Sequence, residues 1–131
     1  MLSSQQDYPR LIAVDLDGTL LTSDREIAQA SAEALRRAAD RGVTVAISTT
    51  RTLDSVRRLT EGIGFQGPIV CANGAQVLSH PYGDLWLERA VPADMARSIA
   101  RRADTRGWNL VITAGRTTYY RDGSWRPGPH R

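Results

Sequence analysis

At 131 residues, 41% hydrophobic and 24% charged, the chain has the make-up of a soluble globular domain, and no apolar run approaches the roughly 18 residues that span a bilayer. The opening MLSSQQDYPR lacks the basic end and apolar stretch of a secretory signal, so the expected location is cytoplasmic. A net charge of +3 does not point to nucleic acid, because the seventeen basic residues, all arginine, are spread along the chain without a basic cluster interleaved with aromatics.

Leu11 to Leu21, LIAVDLDGTLL, begins as the apolar run expected of a strand buried on both faces and then meets Asp15 and Asp17 on either side of Leu16. Gly18 lets the backbone turn sharply, and Thr19 adds a hydroxyl. Two carboxylates about 5 Å apart repel by roughly 3 kcal/mol at an effective dielectric near 20, so one holds a proton or both share a cation. Phosphoryl transfer uses both solutions: one carboxylate attacks phosphorus, the other protonates the leaving oxygen, and Mg²⁺ neutralises the charge that gathers. A bare Asp-Gly is also a common turn pair, so the surrounding features have to carry the stronger reading.

Thr22 to Glu26 reads as a polar connector, with Ser23 and Glu26 at capping-box spacing. Ile27, Ala30, Ala34, Leu35 and Ala38 follow at helical intervals up to Gly42. Val43 to Ile47 reads as a second buried strand, leaving through Ser48, Thr49, Thr50 and Arg51 into a helix marked by Leu53, Val56, Thr60 and Ile63, with Arg57 and Arg58 outward. Hydroxyls between a strand and a helix N-terminus suit an anion. Gly62 to Gly67 spells G-x-G-x-x-G, but it follows a helix and precedes a strand, the reverse of the order a dinucleotide site needs.

Pro68 to Ala72 is the third expected strand, with Asn73-Gly74 as a turn; a turn role and a substrate contact both stay open for Asn73. The lone Cys71 excludes an internal disulfide and reads as a small core residue. Gln76 to Leu78 and Leu85 to Arg89 would form a hairpin, with His80 solvated in its loop. Pro92 opens a helix with Met95, Ala96, Ile99, Ala100 and Ala103 on one apolar face, and Trp108 to Thr113 and Thr117 to Tyr120 read as a second hairpin. DGSWRPGPHR has no period and reads as a frayed tail.

DLDGTLL resembles the first signature of the haloacid dehalogenase (HAD) superfamily, and STTR and CANGA resemble its second motif and a stretch of its Cof-like subgroup, over about residues 9 to 120. The resemblance implies a Rossmann-like three-layer α/β fold, built of three βα units in a parallel sheet with helices on both faces, in an incomplete HAD core with the start of an α+β cap. The implied boundaries are 1–80 for the core, 81–121 for the partial cap and 122–131 for the tail. It also implies a phosphatase in which Asp15 is the nucleophile and Asp17 the general acid and base. Thr49 and Arg51, with backbone N–H groups near Leu16 and Gly18, would bind phosphate, and Asn73 would lie near the substrate. Asp15 and Asp17 would hold Mg²⁺, the latter through its carbonyl. The substrate would be a small phosphorylated metabolite, a sugar or cofactor phosphate, with no nucleic acid or membrane partner. Thr50 stands where the subgroup usually has Gly, a departure expected to crowd the loop or change its backbone.

In the family a phosphoryl-binding Lys and a later acidic pair follow the cap, whereas this sequence has no lysine and no Asp-Asp or Gly-Asp motif after Tyr120. The expectation is therefore an N-terminal fragment or the product of a shortened gene, marginally stable and poorly active by itself. The competing reading is a non-catalytic remnant that binds phosphate or a partner through an exposed sheet edge. A receiver-type domain is disfavoured, since Cys71-Ala72-Asn73 supplies no acceptor Asp after the third strand.

Overall fold

The computed structural model describes residues 9–120. Five strands form one sheet in the order β1 (Leu11–Val14), β2 (Thr44–Ser48), β3 (Ile69–Cys71), β4 (Gln76–Leu78), β5 (Leu85–Glu88). The first three run parallel, and β4 and β5 add to the β3 side as antiparallel strands. Helix α1 (Gln29–Asp40) connects β1 to β2 and α2 (Leu53–Thr60) connects β2 to β3; α3 (Ala93–Arg106) and the hairpin of β6 (Val111–Ala114) and β7 (Thr117–Tyr120) follow the sheet.

Strand register decides where the core lies. Val14 pairs with Ile47, Ile47 with Ile69 and Ile69 with Leu78, so these side chains share one face of the sheet. Leu53 and Val56 of α2 pack into the same buried cluster, and Ala32 and Leu35 of α1 lie against it. Both crossovers step in the same direction, and right-handed connections then put both helices on one side.

Three expectations change here. The third strand is followed by antiparallel β4 rather than a helix, so the described residues hold two βα crossovers, not three. The two helices cover one sheet face instead of both, and on the other Leu11, Ala13, Thr44 and Ser48 are exposed. β1 is not buried on both faces: among the described residues it pairs with β2 alone at the end of the row, and Leu11 is 58% exposed. The description fits β2 instead, whose Val45, Ala46 and Ile47 are all buried between two strands.

The expected capping box is also replaced. Leu21 and Ile27 form an antiparallel bridge that closes a tight turn, in which the Thr22 N–H donates to the Glu26 carbonyl (2.9 Å) and the Arg25 N–H to the Thr22 carbonyl (3.0 Å). Ile27 enters the core from this bridge, and α1 starts at Gln29 without a side-chain cap. On α2, Leu53, Val56 and Thr60 are buried as the spacing predicts. Arg57 is not outward: its Nε donates to the Pro81 carbonyl (2.7 Å), its guanidinium lies 5.1 Å from the Tyr82 ring centre, and Asp54 is 3.8 Å away. Gly67 serves packing, because a Cβ there would collide with the Val45 carbonyl oxygen.

The main sheet continues to Glu88, past the boundary expected at residue 80. Of the apolar face expected on α3, only Ala103 is buried, while Met95 and Ile99 are about half exposed. β6 begins at Val111, so Trp108 to Leu110 lie outside the strand. Among the described residues no helix is long and apolar enough to cross a membrane. The tail expected at 122–131 lies outside the described residues.

Candidate functional site at the strand carboxyl ends

The in-register pairing of β1, β2 and β3 brings three chain exits together. One step beyond the Val14–Ile47 pair lies Asp15, and Thr49 follows β2 immediately. Main-chain bonds tie the exits of β2 and β3: the Thr49 N–H donates to the Val70 carbonyl (2.9 Å) and the Ala72 N–H to the Arg51 carbonyl (2.7 Å).

Asp15 keeps extended backbone angles and is exposed; the Leu16 N–H donates to its Oδ1 at 2.7 Å. Leu16 and Leu20 are buried, and the Leu21 N–H closes the wide turn between them onto the Leu16 carbonyl (2.9 Å). With both leucines anchored, the chain reverses at Gly18, whose φ of 72° favours glycine. Asp17 is thereby lifted out of the core on the exposed arc of the turn.

Arg51 reaches it there. Arg51 Nε donates to Asp17 Oδ2 and Nη2 to Asp17 Oδ1, both at 2.7 Å, the paired geometry in which guanidinium and carboxylate match best. Nη1 donates to Ser55 Oγ at 2.9 Å. The hydrogen bond to Asp17 raises the Arg51 pKa, burial works against it, and the charges of Asp17 and then Asp15 add to the rise.

Thr49 is 6% exposed, and its Oγ1 accepts from the Arg51 N–H at 3.3 Å. Thr50 does not distort the loop in the way expected for a residue replacing Gly: among the described residues only Arg25, Ala72 and Asn73 are non-glycines with positive φ. Asn73 is exposed, and Ala72, Asn73 and Gly74 have φ of 50°, 57° and 84° in succession. The Asn-Gly pair announces this turn; nothing in the sequence announces Ala72.

Sequence reasoning missed Ser55. An Arg before a helix and a Ser one turn in was the available signal, but it gains meaning only once the Arg51 side chain is seen to need a third acceptor. For a divalent cation the fitting donors are the Asp15 carboxylate and the Asp17 carbonyl, hard oxygens of the kind Mg²⁺ takes. Both oxygens of the Asp17 carboxylate face Arg51. Among the described residues no three His, Cys, Asp or Glu side chains cluster to make a metal site by themselves.

Acids, a hydroxyl and a guanidinium gathered at the carboxyl ends of parallel strands define an α/β protein whose candidate site lies where such sheets commonly bind ligands. The model of a family described as haloacid dehalogenase-like hydrolase matches residues 12–128, and the chain belongs to that family. It is 32% identical over 110 residues to the phosphatase YwpJ of Bacillus subtilis strain 168, covering 84% of this chain and 38% of that protein. It is 43% identical over 68 residues to the 5-amino-6-(5-phospho-D-ribitylamino)uracil phosphatase YcsE of the same strain, covering 52% of this chain and 27% of that one. An HMP-PP phosphatase of Cronobacter sakazakii is 33% identical over 90 residues, 69% of this chain and 33% of that protein. A solved haloacid dehalogenase-like hydrolase from B. subtilis superposes with a TM-score of 0.78 at 30% identity, over 88% of this chain and 40% of that structure. The chain therefore spans between about a quarter and two-fifths of the length of these relatives.

Proposed function

We propose that these residues form the nucleophile-bearing face of a Mg²⁺-dependent phosphatase that hydrolyses a small phosphate ester through an aspartyl-phosphate on Asp15. The observation that carries this reading is the meeting of Asp15, Asp17, Thr49 and Arg51 at the ends of β1 and β2, in a chain whose named relatives are phosphatases. α3 and the β6–β7 hairpin would begin the cap. The substrate class, a sugar or cofactor phosphate, agrees with the phosphorylated compound in the name of one relative.

In this reading an Asp15 carboxylate oxygen attacks phosphorus while the bond from phosphorus to the leaving oxygen breaks, and Asp17 gives that oxygen its proton. Asp17 then takes a proton from water as it attacks the aspartyl-phosphate, returning both acids to their starting forms. The buried Thr49 hydroxyl would donate to a phosphoryl oxygen from a fixed position. The Leu16 N–H, which holds Asp15 in the structure, would turn toward phosphate with the Gly18 N–H as Asp15 becomes esterified. A bound Mg²⁺, held by the Asp15 carboxylate and the Asp17 carbonyl, would neutralise charge between protein and phosphate. No lysine is present among the 131 residues to add a cation, and Arg51, paired with Asp17, is a basic group held at this end of the sheet.

The test is beryllofluoride, which caps a carboxylate as a phosphoryl mimic. With Mg²⁺ the chain should give a bound ¹⁹F signal that vanishes in Asp15→Asn and persists in Asp40→Asn, an exposed acid at the end of α1 that leads into the start of β2. A bound signal unchanged in Asp15→Asn removes Asp15 from the nucleophile role.

A further inference from the structure

Arg51 is expected from the family resemblance to grip phosphate, yet its side chain is already committed. Three of its five N–H donors are used within the protein, two on Asp17 and one on Ser55. Its backbone is held as well, the N–H by Thr49 Oγ1 and the carbonyl by the Ala72 N–H. Its side chain is 18% exposed and that of Asp17 45%. The cation is therefore the more firmly held member of the pair. Asp17 stands on the exposed arc of a turn anchored by Leu16 and Leu20, and the guanidinium, carried by the exit of β2, meets both of its carboxylate oxygens.

We infer that Arg51 is a positioning residue for Asp17, braced by Ser55 from the first turn of α2, rather than a ligand of the phosphoryl group. The planar fork of a guanidinium fixes both the distance and the plane of the carboxyl it meets, which a lysine at the same place does not. Ser55 fixes the fork in turn: its hydroxyl stops rotation about the last bonds of the Arg51 side chain by holding the third corner. Should an alcohol leave from phosphate on Asp15, one Asp17 oxygen would exchange its guanidinium contact for the leaving oxygen while the other stays on the fork, so the carboxyl plane would be set before the reaction. This role rests on the phosphatase reading only for what Asp17 then does; the brace itself rests on the contacts.

Two measurements on the full chain test it. The first follows the Arg51 Nε–H by ¹H–¹⁵N NMR together with the Asp17 carboxyl carbon by ¹³C NMR. In the native chain the Nε–H should exchange slowly with solvent. Ser55→Ala should speed that exchange about tenfold and shift the Asp17 carbon, and Asp17→Asn should speed it further, as expected when a charge-assisted bond is lost. Arg51→Lys should move the Asp17 carbon as much as Arg51→Gln does, since a point charge does not replace the fork. Exchange indifferent to both Ser55→Ala and Asp17→Asn overturns the inference whether or not the protein binds phosphate.

The second measures inorganic phosphate binding in the presence of Mg²⁺. Arg51→Gln should leave the affinity within about twofold, while Thr49→Val should lower it about tenfold, near the 1.4 kcal/mol of one hydrogen bond. A tenfold loss in Arg51→Gln, with the Nε–H signal moving when phosphate is added, makes Arg51 a phosphate ligand and overturns the positioning role. Absence of phosphate binding in the native chain counts against the phosphatase reading, and the exchange rates alone then decide the role of Arg51.

Discussion

Among the described residues, Cys71 has a pKa moved into a range where stability should depend on pH. Its side chain is fully buried in the core, and burial pushes its thiol up from 9.0 to about 11, with the Arg57 charge pulling the other way. The folded state therefore keeps its proton where the unfolded chain has released it, so stability is intact below pH 9 and falls as pH rises toward 11. The loss should reach about 3 kcal/mol, two steps of roughly 1.4 kcal/mol. Urea midpoints of the native chain and Cys71→Ala, compared at pH 7.5 and pH 10.5, should converge at the higher pH, since the alanine variant lacks this titration. At the strand ends, Asp15 and Asp17 were legible because two acids after an apolar run are rare, and Thr49 and Arg51 because they follow the next such run. Their mutual contacts were not, since a 34-residue separation between Arg51 and Asp17 is bridged only by the pairing of β1 with β2.

Among the elements, α2 and the strands beside it hold the site in place. Leu53 and Val56 are fully buried in one cluster with Ile47 and Ile69, and Leu53→Ala should cost about 2–5 kcal/mol by the usual cost of a buried cavity. Because α2 also carries Ser55, the same variant should loosen Arg51, visible as faster exchange of its Nε–H. At the exit of β3, Asn73 has left-handed angles that a β-branched residue tolerates poorly. Asn73→Val should destabilise by about 1–3 kcal/mol and Asn73→Gly by much less, a difference read from thermal melts. The helix and strand periods were legible because β2, β3 and α2 bury continuous or one-sided apolar sets. The turn after Leu21 was not: Ser23 and Glu26 have the spacing of a helix cap, but the Leu21–Ile27 bridge consumes the connector before a helix can begin. Tertiary pairing overrode a local signal.

For the whole molecule, the parallel run of β1, β2 and β3 was legible from alternating strand and helix patterns, whereas the switch to antiparallel pairing directly after Cys71 was not, because the Asn-Gly turn marks a reversal without saying which strands pair across it. The one-sided placement of α1 and α2 was not, because it follows from the direction in which the crossovers step and not from any residue. Apolar surface remains open on α3, where Met95 and Ile99 are about half exposed. Such surface binds hydrophobic dyes, so the native chain should enhance anilinonaphthalene sulfonate fluorescence, and Met95→Gln with Ile99→Gln should cut that signal while helical circular dichroism is kept.

The position of β1 at the end of its sheet has a last consequence. A parallel strand presents successive peptide groups to alternate sides, and among the described residues β1 meets a neighbour on one side only. In deuterated water its amides should divide into two interleaved sets, one exchanging within the dead time and the other surviving for as long as β2 stays in place. The backbone that carries the nucleophile candidate would thus be read as a comb, every other tooth already gone.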